Sequence, residues 1–405
     1  MDLEKLKTTD GIDVHGKRVL VRADLNVPVH GGEVTDVTRL ERLVPGLLDL
    51  ANRGARVVVI SHFGRPKGSP SPEFSLKPVA AKLAELLGKP VAFVEDCVGP
   101  KAQAAVNALA PGQIVVLENL RFHKGEEKND PEFAKELASL GDIYVDDAFS
   151  SAHRAHASTE GITHHLPSYA GPLMMAEIEA LRSALDHPDP PTAAIVGGAK
   201  VSTKIPVLMH LIEKVDKLII AGGMANTFYL AQGVDVGRSL AEPDFRDTAL
   251  DVMKAAKARS CEVILPPDAV VAAELKEGVP TQVVSILDVP SDAMILDVGP
   301  ITRVDITSCF TKLRTLLWNG PMGAFEIEPF GRGTFALATA AASLTRTGGL
   351  LSVAGGGDTL AALRGAGVID DFSYVSTGGG AFLEWLEGRR LPGVAVLENN
   401  MTAEV

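Results

Sequence analysis

Ala193-Ala194-Ile195-Val196-Gly197-Gly198-Ala199-Lys200 sets an unbroken apolar run against a glycine turn. Apolar residues without alternation fit a strand covered on both faces, and paired glycines fit a tight passage from strand to helix. The pattern recurs. Residues 18–23, 56–61, 113–117 and 142–145 are such runs in the first half of the chain. Residues 193–196, 217–221, 262–265, 294–296, 315–318, 351–353 and 374–376 continue it. Between them, segments such as 76–87 and 334–344 carry apolar residues at helical spacing. Strand–helix alternation predicts parallel sheets built from βαβ units. So many strands overfill one twisted sheet, which predicts two α/β domains.

The boundary is expected near Leu166-Pro167-Ser168-Tyr169-Ala170-Gly171-Pro172. The first domain then spans residues 1–168 and the second 169–389, beginning with a helix over about 173–185. Asp186-His187-Pro188-Asp189-Pro190-Pro191 stops that helix, because proline lacks an N–H and restricts the residue before it. A helix bracketed by prolines suits a connector with a hinge; a plain surface helix is the simpler alternative.

Of the 405 residues, 46% are hydrophobic and 22% charged, an ordinary globular balance that excludes disorder and fibrous repeats. The net charge of −12 argues against nucleic-acid binding. No apolar run reaches the ~18 residues of a membrane helix. The first residues, Met1-Asp2-Leu3-Glu4-Lys5-Leu6-Lys7, mix charges and lack the apolar stretch of a secretory signal. Cys97, Cys261 and Cys309 are too widely spaced for a disulfide framework or a CxxC motif, which fits a reducing cytoplasm.

In open parallel sheets, ligands bind beyond the carboxyl ends of the strands. In the first half those ends are polar and basic: Arg22-Ala23-Asp24-Leu25-Asn26, Ser61-His62-Phe63-Gly64-Arg65, Glu118-Asn119-Leu120-Arg121-Phe122-His123, and Asp146-Asp147 running on to His153-Arg154. Arginines with neighbouring histidines would gather cations around a small, highly anionic ligand. In the second half the ends are glycine-rich: Gly197–Lys204, Gly222-Gly223, Asn319-Gly320-Pro321, Gly355-Gly356-Gly357-Asp358-Thr359 and Gly378-Gly379-Gly380. Glycines let the backbone approach a ligand, helix N-termini offer N–H groups to phosphates, and Asp358 suits Mg²⁺ beside them. Lys200 and Lys204 share a face if that stretch is helical. Taken singly, a glycine pair is packing and a loop arginine is solvated. The segregation of cationic ends into one half and glycine ends into the other is what points to two sites, suited to phosphoryl transfer.

Other patterns lack their context. Residues 11–17 nearly match a phosphate-binding loop but precede a strand and are followed by Arg18. Gly331-Arg332-Gly333-Thr334-Phe335-Ala336 resembles a dinucleotide turn, yet Glu328-Pro329-Phe330 before it is no strand. His153, His156, His164 and His165 lack further ligands at metal-site spacing. A dehydrogenase would need a well-placed GxGxxG, and an exported anion receptor would need a signal and no Lys200, Lys204 and Asp358 set.

Residues 21–28, 61–66, 117–122, 147–158, 197–204, 222–228, 318–326, 355–359 and 377–388 together resemble the phosphoglycerate kinase family over essentially the whole chain. The resemblance implies two Rossmann-like, three-layer αβα lobes with parallel sheets, facing each other across a deep cleft and closing on their ligands, normally in a monomer. It implies Mg²⁺-dependent transfer of a phosphoryl group between ATP and the carboxylate of 3-phosphoglycerate, giving ADP and 1,3-bisphosphoglycerate. It assigns Asp24, Leu25, Asn26, Arg39, His62, Phe63, Gly64, Arg65, Arg121 and Arg154 to the phosphoglycerate. Gly198, Lys200, Lys204, Asn319, Pro321, Glu326, Gly356, Gly357, Asp358 and Thr359 fall to the nucleotide, with Glu326 toward the ribose and Asp358 toward Mg²⁺. Arg39, Lys200, Lys204 and Gly357 would surround the transferring group. It also brings the tail, about 390–405, back to the first lobe. Three positions depart from the family: Phe63 for a common leucine, Ser150-Ser151 for Gly-Thr, and Ala221 for a glycine.

Overall fold

The computed structural model describes residues 6–398. The chain divides into two compact units, one running up to Ile178 and including the stretch from Arg390, the other Glu179–Arg389.

The first unit is built on a six-stranded sheet in the spatial order Val91–Val94, Ile114–Leu117, Arg56–Ile60, Arg18–Arg22, Ile143–Asp146 and Ser168–Ala170. Every pairing in it is parallel. The continuous apolar runs are explained by the two faces. Val19, Val21, Val57, Val59 and Val116 enter one core cluster. Their neighbours Leu20, Val58, Ile60, Val115 and Leu117 enter another on the opposite face. Side chains alternate across a strand, so a sheet covered by helices on both sides needs apolar residues at every position.

The second unit repeats the plan with Glu262–Ile264, Lys217–Ile220, Thr192–Val196, Thr315–Asn319, Leu351–Gly355 and Tyr374–Ser376, again all parallel. This order, third-second-first-fourth-fifth-sixth along the chain, is that of the Rossmann fold. The run at 294–296 does not join it. It lies in Met294–Val298, which pairs antiparallel with Asp268–Ala272 in a separate three-stranded sheet completed by Gln282–Ser285. Strands Val91–Val94 and Ser168–Ala170 are additions to the sequence expectation, both short and at sheet edges.

The expected connector is a helix, Pro172–Leu185. The units divide between Ile178 and Glu179, inside this helix rather than ahead of it. The reason is a cap: Asp147 Oδ1 accepts from the N–H groups of Leu173 at 2.7 Å and Met174 at 3.1 Å, anchoring the first turns to the first unit. The stretch after Arg390 packs on the first unit through buried Leu391, Val394 and Leu397, and the Gly393 N–H donates to the Ala152 carbonyl at 2.8 Å. The expected tail beyond Glu398 lies outside the described residues.

Burial pushes the Asp147 carboxyl up to about 6, against the pull of the two N–H donors. A raised folded-state pKa means the folded chain holds that proton more tightly than the unfolded chain. The stabilisation is full below the unfolded value near 4 and is lost as pH rises through 6. Asp147→Asn keeps the Oδ1 acceptor and removes this dependence. Its stability relative to the parent should rise by roughly 2 kcal/mol between pH 4 and 7, read from urea unfolding. A constant difference over that range would contradict the assignment.

Candidate active site

In the first unit, strand order reverses between Arg18–Arg22 and Ile143–Asp146, and the segments leaving these strands meet beyond their carboxyl ends. Asp24 is the junction. Its Oδ2 pairs with Arg39 Nη1 at 3.0 Å and accepts from Ser150 Oγ at 2.7 Å, while Oδ1 accepts from the Asn26 N–H at 3.1 Å. Arg39 Nη1 also donates to the Asn26 carbonyl at 2.9 Å. The Asn26 side chain reaches the next segment, accepting from the Gly64 N–H at 3.0 Å, and Arg121 Nη1 donates to the Gly64 carbonyl at 2.7 Å. Ser150 thus adds a hydroxyl to the Asp24 carboxylate.

His62 sits on buried Arg22, whose Nη2 lies 3.0 Å from His62 Nδ1. A guanidinium only donates, so Nδ1 accepts and the ring hydrogen is on Nε2. Burial, then the charges of Arg22 and Arg121, hold His62 well below the ordinary histidine range, so it is neutral at pH 7. Burial, then Arg121, Arg22 and Arg154, likewise bring His156 down to about 4. Arg22 is held in turn by Ser158 Oγ at 3.0 Å, itself bonded to fully buried Glu126 at 2.6 Å. Arg65 and Arg154 are exposed.

Leu25 and Phe63 place their side chains in the core, so they bring backbone rather than side-chain contact to this edge. Sequence reading placed Asn119 at a strand end without giving it a role. It accepts from the Phe63 and Arg121 N–H groups at 3.1 and 3.0 Å and donates to the carbonyls of Phe63 and Phe74 at 2.6 and 2.9 Å. Ser61 was likewise quoted without a role, and its Oγ links the Ala23 carbonyl and the Leu25 N–H. Each directly follows a strand or its first polar residue, the one signal that could have found them.

In the second unit the reversal falls between Thr192–Val196 and Thr315–Asn319. A cavity of about 310 Å³ there is lined by Gly198, Lys200, Lys204, Asn319, Gly357 and Asp358, among others. Lys204 Nζ donates to Asn319 Oδ1 at 2.6 Å, and Asn319 Nδ2 donates to the Gly355 carbonyl at 2.8 Å. Thr359 Oγ1 accepts from the Gly320 N–H at 2.7 Å. Burial pulls Lys204 down from the ordinary lysine range, opposed by Asp358 and Glu387. A second, largely apolar cavity of about 480 Å³ shares Gly198, Ala199, Pro321 and Asp358 and adds Leu240, Met294, Leu296 and exposed Glu326.

Lys200 and Lys204 do not share a helical face. Lys200 is extended, a 3-10 turn spans Val201–Thr203, and the helix starts at Ile205. Glu242 fixes that turn by accepting from the Ser202 N–H and Oγ at 2.9 and 2.6 Å. Both lysines still line the smaller cavity.

The glycines divide by role. A Cβ on Gly197 would lie 2.0 Å from the Pro321 carbonyl oxygen, and one on Gly320 would lie 2.3 Å from that of Gly197. These serve close packing of two strand ends. A Cβ on Gly357 meets nothing within 4 Å; this glycine lines the smaller cavity and opens helix Gly357–Gly365, whose first N–H groups have no partner within the helix. Gly197→Ala should therefore cost roughly 1–3 kcal/mol of stability. Thermal unfolding checks this; an unchanged midpoint would contradict it.

The resembling dinucleotide turn has another use. The Gly333 N–H, in the first turn of helix Arg332–Arg346, donates to Asp297 Oδ2 at 2.7 Å. A protein carboxylate occupies that helix start.

The phosphoglycerate kinase family model matches residues 9–389. The phosphoglycerate kinase of Granulibacter bethesdensis is 58% identical over 391 residues, 96% of this chain and 99% of that one. That of Rhodospirillum centenum is 59% identical over 391 residues, with the same coverages. Among solved structures, phosphoglycerate kinase from Coxiella burnetii superposes with a TM-score of 0.91 at 44% identity, covering 98% of this chain and 100% of that chain. The enzyme from Pyrococcus horikoshii does so with a TM-score of 0.80 at 31% identity, covering 97% and 98%. The chain belongs to the phosphoglycerate kinase family.

Proposed function

We propose that the cationic strand ends of the first unit hold the phosphoglycerate and the two adjoining cavities of the second hold the nucleotide, in the reaction of the family: reversible glycolytic phosphoryl transfer between ATP and the carboxylate of 3-phosphoglycerate. The observation that carries this is the second unit's pairing of a polar, lysine-lined cavity with an apolar one through Gly198, Ala199, Pro321 and Asp358. The polar cavity suits phosphates and the apolar one a base, with Glu326 placed for the ribose hydroxyls. Arg39, Arg65, Arg121, Arg154 and the Nε2–H of His62 are the donors offered to the phosphoglycerate anion.

The acceptor carboxylate is ionised at neutral pH, so the chemistry needs no general base. What it needs is compensation of charge as an anion approaches a phosphate. Arg39, Lys200, Lys204 and the Gly357 N–H are the groups proposed to supply it. Asp358 fits a Mg²⁺ role: its carboxylate is exposed, lines both cavities and is a hard oxygen donor, and Mg²⁺ takes one or two carboxylates beside substrate phosphates. Bound with the nucleotide, Mg²⁺ supplies further positive charge to the phosphates. Because one chain carries both sets of residues, the working form we propose is a monomer, acting in the cytoplasm, where its three free cysteines stay reduced. Among the described residues, no helix is long and apolar enough to cross a membrane.

Separate titrations test the assignment. Arg65→Ala should weaken 3-phosphoglycerate binding about 10-fold or more and leave ADP affinity unchanged, a charge-assisted bond being worth ~1.5–3 kcal/mol. Glu326→Ala should do the reverse. Coupled losses in both variants would overturn the division of labour.

A further inference from the structure

Among the described residues, the structure gathers one group of three side chains with metal-ligating atoms close together: Asp96, Cys97 and His123, all within 4.8 Å of one another. We infer that these three form a binding site for a zinc-class divalent cation, distinct from the place proposed for Mg²⁺. Sequence reading found no metal motif at any cysteine, since Cys97 and His123 stand 26 residues apart. The fold supplies the proximity. Asp96 and Cys97 lie between strand Val91–Val94 and helix Gly99–Ala108, and His123 precedes helix Lys124–Glu127.

The donors are a carboxylate oxygen, a sulfur and an imidazole nitrogen, the mixed set that Zn²⁺ takes in tetrahedral coordination. Three protein ligands leave a fourth position for water. Mg²⁺, which demands oxygen ligands in an octahedral shell, is poorly served here. His123 Nε2 already lies 2.8 Å from Asp96 Oδ1, and the His123 ring stacks on Phe133 with centroids 5.2 Å apart, so the imidazole is held in place before an ion arrives. The Cys97 N–H donates to Asp96 Oδ1 at 2.8 Å, fixing that carboxylate beside the thiol. The side chains of Asp96 and His123 are 42% and 33% exposed, whereas Cys97 is buried at 1%.

The test uses the full chain, stripped by a chelator and titrated with Co²⁺ as a spectroscopic stand-in for zinc. The expected result is a near-ultraviolet thiolate-to-cobalt band with tetrahedral visible bands, saturating at one equivalent and displaced by Zn²⁺ but not by Mg²⁺. Cys97→Ser should abolish the thiolate band. His123→Gln, at a part-exposed position with little bearing on folding, should weaken binding at least ~10-fold, the low end of what losing even an outer-shell partner costs. Absence of a thiolate band overturns the site. So does a band that survives Cys97→Ser, which would place the ion on Cys261 or Cys309, or unchanged affinity in His123→Gln, which would leave a histidine–aspartate pair beside a core cysteine.

Discussion

Arg39→Ala should lower kcat by roughly 10³-fold, the low end of what an arginine on a transferring phosphoryl group contributes, while the KM for ATP moves only a few-fold. The side chain is held by Asp24 Oδ2 at 3.0 Å and the Asn26 carbonyl at 2.9 Å, yet is 34% exposed. It is therefore oriented without being enclosed, at an edge that an incoming anion can reach. The acceptor carboxylate and the phosphate are both negative, so charge crowding peaks as they meet, and a cation there acts on the transition state more than on either bound ligand. Arg39→Lys should recover part of the rate, keeping the charge but losing the planar fork. Steady-state kinetics with each substrate varied decide the matter. An unchanged kcat with a raised KM for 3-phosphoglycerate would reduce Arg39 to a binding residue.

Lys204→Ala should lower kcat by about 10²–10³-fold, comparable to removing one preorganised donor from a developing oxyanion. The substitution removes a charge from the floor of the 310 Å³ cavity and takes the donor from Asn319 Oδ1, bonded at 2.6 Å. Asn319 also holds the Gly355 carbonyl at 2.8 Å, just ahead of the Gly357 N–H, so disorder would spread to the helix start. Lys204→Met separates the two effects, filling the space without the charge. Equal losses in Lys204→Ala and Lys204→Met would identify charge as the cause. Full activity in Lys204→Met would contradict it.

How far the sequence revealed this molecule follows from what each feature depends on. The central strands were legible because each is buried on both faces and so is apolar at every position. Gln282–Ser285 was not, since three of its four residues are exposed and no burial pattern marks it. Asp268–Ala272 pairs antiparallel, and nothing in its own residues reveals the partner. At the sites, the charged strand ends were legible because their position after a strand fixes their direction. Asn119 and Ser61 were not, because their work is to bridge neighbouring strand ends, and which ends are neighbours is decided by register: Arg22 stands opposite Ile60, and the Ser61 hydroxyl then meets the Ala23 carbonyl at 2.7 Å. The glycines posed the same difficulty. Gly197 and Gly357 read alike in sequence, and only the packing around each shows that one accommodates a carbonyl and the other opens on a cavity.

Acyl-phosphate formation, followed through glyceraldehyde-3-phosphate dehydrogenase and NADH loss, tests the central claim most directly. Purified protein would be supplied with ATP, Mg²⁺ and 3-phosphoglycerate, omitting each in turn, and compared with Asp358→Ala. The account predicts a rate that requires all three components and collapses in the variant. A rate independent of 3-phosphoglycerate, or one that survives Asp358→Ala undiminished at low Mg²⁺, would contradict it.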